Sequence, residues 1–180
     1  MARKISLREF QQGVALRIRD AASRKTVLSR LGFQVGQENW LVNLSDVSEV
    51  IPVPNIVPVP LTLPWYRGVA NIRGKLYSIV DFAAYQGQPV IGPGMERRVI
   101  LVAEKLIEGS GFLVSRMLGL HNPEQFTPET HDAGVSRPWI KGVYRDASGT
   151  RWYELDLTSL TREARFLEVG IVTTTTTAAA

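Results

Sequence analysis

Along this chain apolar residues gather in short runs of four to seven positions bounded by turn formers, as in Val69–Arg73, Leu76–Phe82, Arg98–Glu104, Phe112–Ser115, Ile140–Tyr144 and Arg151–Leu157. Short runs rich in β-branched and aromatic residues predict β-strands. Helix-length periodic segments are missing between them. Arg73-Gly74-Lys75 and Asp146-Ala147-Ser148-Gly149 fall where hairpin reversals are needed, with glycine supplying the positive φ of a tight turn. Ile51–Pro60, in which four prolines alternate with apolar residues, reads as an edge or crossover segment, because proline withholds a ladder donor.

The pattern repeats. Pro64-Trp65-Tyr66-Arg67-Gly68-Val69 recurs 74 residues on as Pro138-Trp139-Ile140-Lys141-Gly142-Val143. Gly74 and Asp81-Phe82 in the first copy answer Gly149 and Asp156-Leu157 in the second, with one residue inserted. Upstream, Trp40-Leu41-Val42 is matched by Phe112-Leu113-Val114. A repeated spacing implies a repeated structural unit. Five short strands per unit bury themselves best by closing into a small barrel, which also removes exposed edges. The expectation is an all-β protein of two small five-stranded β-barrels side by side. Residues 31–95 would form the first barrel and 96–168 the second, with a short closing helix near Thr161–Leu167 capped from Thr158 or Ser159. Residues 169–180, ending in a Thr/Ala run, would be a low-complexity tail.

Charge changes the picture at one end only. Residues 1–30 carry eight basic side chains against Glu9 and Asp20, so this segment is +6 while the whole chain is +4 and the remainder about −2. Leu7, Phe10, Val14, Ile18, Ala21 and Leu28 recur at helical spacing, and Ser6 with Glu9 fits a capping box. Residues 1–30 thus read as a basic amphipathic helical arm on a near-neutral body. The alternative function this suggests is a nucleic-acid-binding small-barrel protein with a basic arm. Because the body is neutral, nucleic acid is not the expected partner.

The 180 residues are 44% hydrophobic and 21% charged, the composition of a globular protein. With no cysteine, disulfides, thiolate metal sites and cysteine nucleophiles are excluded. The longest uncharged central run, Val50–Tyr66, contains five prolines, so no membrane span is expected, and no apolar signal run occurs in the first thirty residues. A cytoplasmic protein follows. Reactive constellations are also missing. Gly68 and Gly74-Lys75 have the wrong spacing for a phosphate loop, and Leu76 stands where a Ser or Thr is required. His121 and His131 lie in Pro/Gly-flanked sequence that reads as exposed loop, and Asp81 and Asp156, equivalent in the repeat, read as a repeated structural hydrogen bond rather than a carboxylate pair. No catalytic residue, metal or cofactor is expected.

The stretch Gly68-Val69-Ala70-Asn71-Ile72-Arg73-Gly74-Lys75-Leu76-Tyr77-Ser78-Ile79-Val80-Asp81 resembles the CheW-like family, whose motif runs Gly-Val-x-Asn-Leu-Arg-Gly, four variable residues, then Ile/Val-Val-Asp. The similarity extends over roughly residues 31–168, and Ala70 with the second Trp-Ile-Lys-Gly-Val looks most like the branch that serves type IV pilus chemosensory systems and twitching motility. The resemblance implies SH3-like barrels and a non-enzymatic adaptor joining a CheA-type histidine kinase to the cytoplasmic tip of a methyl-accepting chemoreceptor. By position, Val47 and Glu49 fall on the family's partner-contacting strand, and Gly68, Asn71, Arg73 and Gly74 on the hairpin linked to coupling. Turn-forming explains the glycines and Asn71, and core packing explains Val47. Glu49 and Arg73 are the stronger candidates, since exposed charges add little to folding but fix a partner's register. Ser115-Arg116 departs from the family pattern, which commonly has an acid after the second Leu-Val.

Overall fold

The computed structural model describes residues 29–130 and 137–171. Residues 1–28 of the basic arm, His131 and the end of the tail lie outside the described residues. Eleven described strands form two sheets. They are β1 (Arg30–Val35), β2 (Glu38–Asn43), β3 (Val47–Pro52), β4 (Tyr66–Ile72), β5 (Lys75–Asp81), β6 (Arg98–Val102), β7 (Ser110–Val114), β8 (Arg116–His121), β9 (Thr127–Glu129), β10 (Ile140–Arg145) and β11 (Arg151–Leu155). Two one-turn helices follow strand ends, α1 (Phe82–Tyr85) and α2 (Leu157–Leu160), and a third, α3 (Ala164–Leu167), follows α2. One sheet runs β8-β1-β2-β11-β10-β9 and the other β3-β6-β7-β5-β4.

The two β-hairpins appear where the turn residues place them. Arg73 and Gly74 both have positive φ (53° and 84°) between Ile72 and Lys75, the two-residue reversal whose twist matches the strands. In the second hairpin Asp146 organises the loop. Its carboxylate accepts from Ser148 Oγ (2.6 Å), the Ser148 and Thr150 amides, and Trp152 Nε1 (2.9 Å).

The 74-residue offset is kept in the bonds. Asp81 N donates to Trp65 O, and Asp156 N to Trp139 O, each at 2.8 Å. Each aspartate then caps the helix that follows it, through Ala84 N (3.1 Å) and Ser159 N (3.1 Å). Both hairpins carry a register shift at the glycine, Gly68 and Gly142. Val69 is bridged by Val57, and its equivalent Val143 by Glu129. The proline segment is therefore the edge piece that its composition predicted.

Strand membership departs from the sequence division. β5 pairs in parallel with β7, and β11 in parallel with β2. The five-stranded sheet thus combines the last three strands before residue 95 with the first two after it, the six-stranded sheet combines the first two strands with the last four, and a cut near residue 95 runs through both. Local turns fix a hairpin, but nothing local says which distant strand lies beside it. The ladder also moves the upstream match by two residues. Val80 faces Phe112 while its equivalent Leu155 faces Val42, so Phe112 corresponds to Val42 rather than Trp40.

A shared core lies between the sheets. Phe33, Val35, Trp40 and Val42 from one sheet meet Val80, Ile100, Val102, Phe112 and Val114 from the other, all buried. The outer face of each sheet has a smaller core, Ala70, Tyr77, Ile79, Val99, Leu101 and Leu113 on one and Leu41, Phe126 and Trp152 on the other. Strand β7 is buried on both faces, which is why it reads as an unbroken apolar run. The repeated tryptophans Trp65 and Trp139 both pack on Tyr85, with ring centroids 5.2 Å away in each case. Burial raises the Tyr85 phenol above its ordinary pKa, so it stays neutral. The closing helix α3 starts from Glu163, which makes no side-chain cap bond, so neither Thr158 nor Ser159 caps it as the sequence suggested.

Two predictions follow from these contacts. A Cβ on Gly68 (φ 124°) would lie 2.1 Å from Val57 O, whereas one on Gly142 would meet only the Tyr144 ring at 3.1 Å. Urea titration should find Gly68→Ala destabilised by about 2–4 kcal/mol and Gly142→Ala clearly less. The Ser148 and Trp152 bonds hold the Asp146 carboxyl at about 2, below its ordinary 3.8. A depressed carboxylate pKa gives stability that is present above pH 3.8 and lost as pH falls through about 2. Acid unfolding curves of Asp146→Asn should lack that component and match wild type in slope between pH 4 and 2 only if the assignment is wrong.

Candidate functional site

The sequence-selected residues separate into a cluster and two supports. Asn71, Arg73 and Gly74 form the tip of the β4–β5 hairpin, and Glu49 reaches it from β3, 24 residues earlier in the chain. Arg73 Nη2 bonds Glu49 Oε1 at 2.7 Å, with 77% of the arginine and 35% of the glutamate side chain exposed. Asn71 Oδ1 accepts from Gly74 N (2.9 Å) and closes the turn. Val47 lies two residues from Glu49 on β3 and packs half-buried against the shared core. Gly68 lies at the far end of β4, buried against the Val57–Pro58 backbone, so its part is to let that segment approach.

Arg73 occupies a left-handed backbone position that costs a non-glycine residue about 1 kcal/mol or more. An exposed ion pair returns no more than about 1 kcal/mol. Folding therefore does not select arginine here.

Two further ion pairs flank the tip, which sequence reasoning missed. Lys75 Nζ bonds Glu104 Oε1 (2.6 Å), and Lys105 Nζ bonds Asp46 Oδ1 (2.8 Å). The Glu104 hydrogen bond raises the Lys75 pKa, keeping that ammonium charged. Leu76, next to Lys75, is 65% exposed and gives the charged tip an apolar neighbour. Leu76 could have been noticed as the residue that breaks the alternation of β5; Glu104, 29 residues from its partner, could not.

The other half has a different chemistry at equivalent places. The β3–β6 and β8–β1 ladders share a bulge at the same point, which matches Val47 to Met117, Glu49 to Gly119 and Val50 to Leu120. The hairpins match Arg73 to Ser148 and Gly74 to Gly149. The counterpart of the Glu49–Arg73 pair is thus an uncharged glycine and serine.

Several charges elsewhere are tied into the fold. Arg137 stacks on Trp40 and Tyr153 and bonds Glu38 (3.1 Å) and Gln86 (2.9 Å). Arg30 pairs with buried Glu154 at 2.8 Å, and Tyr144 donates to the same carboxylate at 2.7 Å. Glu129 is held below its ordinary pKa by its bonds to Arg151 and Arg145. His121 is a correction to the loop expectation. It ends strand β8, half-buried against Trp152 and Phe126 with ring centroids at 4.9 and 5.6 Å. No group of three or more potential metal ligands occurs among the described residues. No helix among them is long and apolar enough to cross a membrane.

The described residues form two packed β-sheets with an exposed charged hairpin tip. The CheW-like domain family matches residues 30–165, and the chain belongs to that family. It is 29% identical to Protein PilI of Pseudomonas aeruginosa over 149 residues, covering 79% of this chain and 80% of that protein. Against Chemotaxis protein CheW of Rhizobium meliloti it is 34% identical over 84 residues, covering 47% of this chain and 54% of the relative. It is similar in structure to the scaffolding protein TtCheW from Thermoanaerobacter tengcongensis, with a TM-score of 0.62 and 18% identity over 72% of this chain and 89% of that one. That likeness shows the fold alone.

Arg73→Asn, which suits a left-handed turn position, should melt at the same temperature as wild type or higher, with a stability change within about 1 kcal/mol. A clear loss of stability would show that the Glu49 ion pair outweighs the backbone term.

Proposed function

We propose that this chain is a non-enzymatic cytoplasmic adaptor that couples a CheA-type histidine kinase to the cytoplasmic tip of a methyl-accepting chemoreceptor, in a chemosensory array controlling type IV pilus motility. The observation that carries this reading is the exposed Arg73–Glu49 tip, with an arginine at a left-handed turn position where folding does not select one. The similarity to PilI over most of both chains supports the pilus assignment. In this reading each sheet, with the segments that cover it, acts as a small SH3-like barrel presenting its own outer surface, and no cofactor takes part.

The mechanism is geometric. Arg73 and Glu49 make the partner contact, Val47 backs it from the core, and Asn71, Gly68 and Gly74 hold its shape. Docking two partners at once raises the effective concentration of each for the other. A receptor conformation that favours one kinase arrangement then shifts the kinase equilibrium by linkage, without chemistry in the adaptor. Individual contacts at or below ~1,600 Å² suffice, because arrays gain strength by multiplicity.

Arg73→Glu should leave the circular dichroism spectrum and melting temperature near wild type while weakening capture of purified kinase or receptor fragment at least tenfold. Undiminished capture of both partners would refute the assignment of the tip.

A further inference from the structure

Two leucines lie open where β1 begins. Leu44, just after β2, donates its N–H to Ser29 O (3.2 Å), and Leu120 of β8 stands opposite Leu31. Side chains alternate along a strand, so Leu44 and Leu120 flank Leu31 on the face turned to the shared core. Leu31 is buried in that core, but Leu44 is 40% and Leu120 63% exposed.

The other half closes the same two places. The β6–β7 ladder sets Ile100 opposite Phe112 and Arg98 opposite Val114, so Val114 answers Leu44, as Val50 answers Leu120. Val114 is fully buried, and Val50 is half-buried against the shared core. There the segment leading into β6 is tied down: Ile91 N donates to Asp81 Oδ2 (2.9 Å), and the Ile91 side chain packs on the same core. The segment leading into β1 is the basic arm.

The arm suits this end in length and in charge. Its apolar stripe, Leu7 to Leu28 at helical spacing, ends one residue before Ser29. Leu44 and Leu120 stand on either side of β1, about 10 Å apart, whereas a helix of 28 residues is about 42 Å long. Residues 1–28 hold seven basic side chains against Glu9 and Asp20, and the rest of the chain is net negative. Glu124, exposed on the turn after β8, bonds Asn122 Nδ2 (3.3 Å) and meets no cation among the described residues. Two leucines fall short of the ~1,200 Å² or more that a stable interface between separate chains buries. A segment tethered beside them acts at an effective concentration on the order of millimolar.

We propose that residues 1–28 fold back across the start of β1 and lay their apolar stripe on Leu44 and Leu120, with arm cations beside Glu124. The arm is then a built-in cover for this end of the shared core. It needs neither a kinase nor a receptor nor a second copy of the chain.

Hydrogen exchange of the full chain, read by mass spectrometry, tests the cover. Amides of residues 7–28 should exchange at least tenfold more slowly in wild type than in the Leu44→Glu/Leu120→Glu double variant, at any protein concentration. Val14→Glu, which alters none of the described residues, should release the arm to the same extent, and Glu124→Lys should release it in part. Protection of β5 and β7 should stay at the wild-type level throughout, which shows that the body is folded. Unprotected arm amides in wild type, or protection that survives both the leucine and the Val14 substitutions, would overturn the proposal. Arm protection that rises with concentration, together with a doubled mass in sedimentation, would assign the surface to a second copy and overturn it as well.

Discussion

The parallel pairing of β5 with β7 and of β11 with β2 is the constraint on which the rest of the structure depends. It places two strands of each repeat inside the sheet of the other, so the five-stranded sheet is completed within residues 47–114 while the six-stranded sheet forms only when residues 30–43 join residues 116–155. Long-range pairing is expensive in chain entropy and is recovered only when the whole core forms. The shared core between the sheets, with both repeat tryptophans against Tyr85, provides that recovery. An adaptor built this way keeps a fixed relation between its two outer surfaces without a linker.

A repeated framework would ordinarily present one surface twice. Here the chemistry has diverged while the backbone has not. Glu49 and Arg73 have become Gly119 and Ser148, Asp46 answers Arg116, and half-buried Val50 answers exposed Leu120. Two equivalent surfaces of opposite character cannot serve the same partner with equal affinity, since like-charge juxtaposition is penalised. Asymmetry of surface on a symmetric frame is what a connector of two unlike proteins needs.

Much of this could be read from sequence because it is local. The Arg73-Gly74 and Asp146–Gly149 turns, the aspartate caps at Asp81 and Asp156, and the edge role of the proline segment each depend on residues a few positions apart. What could not be read is what distance hides. Glu49 and Arg73 were separately identified as exposed charges, but their contact crosses 24 residues and a sheet edge. The exchange of strands was invisible because a hairpin's spacing does not name its neighbour. His121 was misplaced for a physical reason: Gly119 and Pro123 look like loop punctuation, yet Gly119 is a bulge within β8 and Pro123 starts the turn after it. The upstream match slipped by two residues because Trp40 and Phe112 are both large core aromatics, although the ladders set Phe112 opposite the place of Val42.

The account stands on the two surfaces being separate and open at the same time. The most direct measurement is the mass of species formed when the chain, saturated with purified kinase, receives the receptor fragment, read by analytical ultracentrifugation. The account predicts a ternary species in which the receptor joins without displacing the kinase. Release of the kinase in proportion to added receptor would show one shared surface and contradict it.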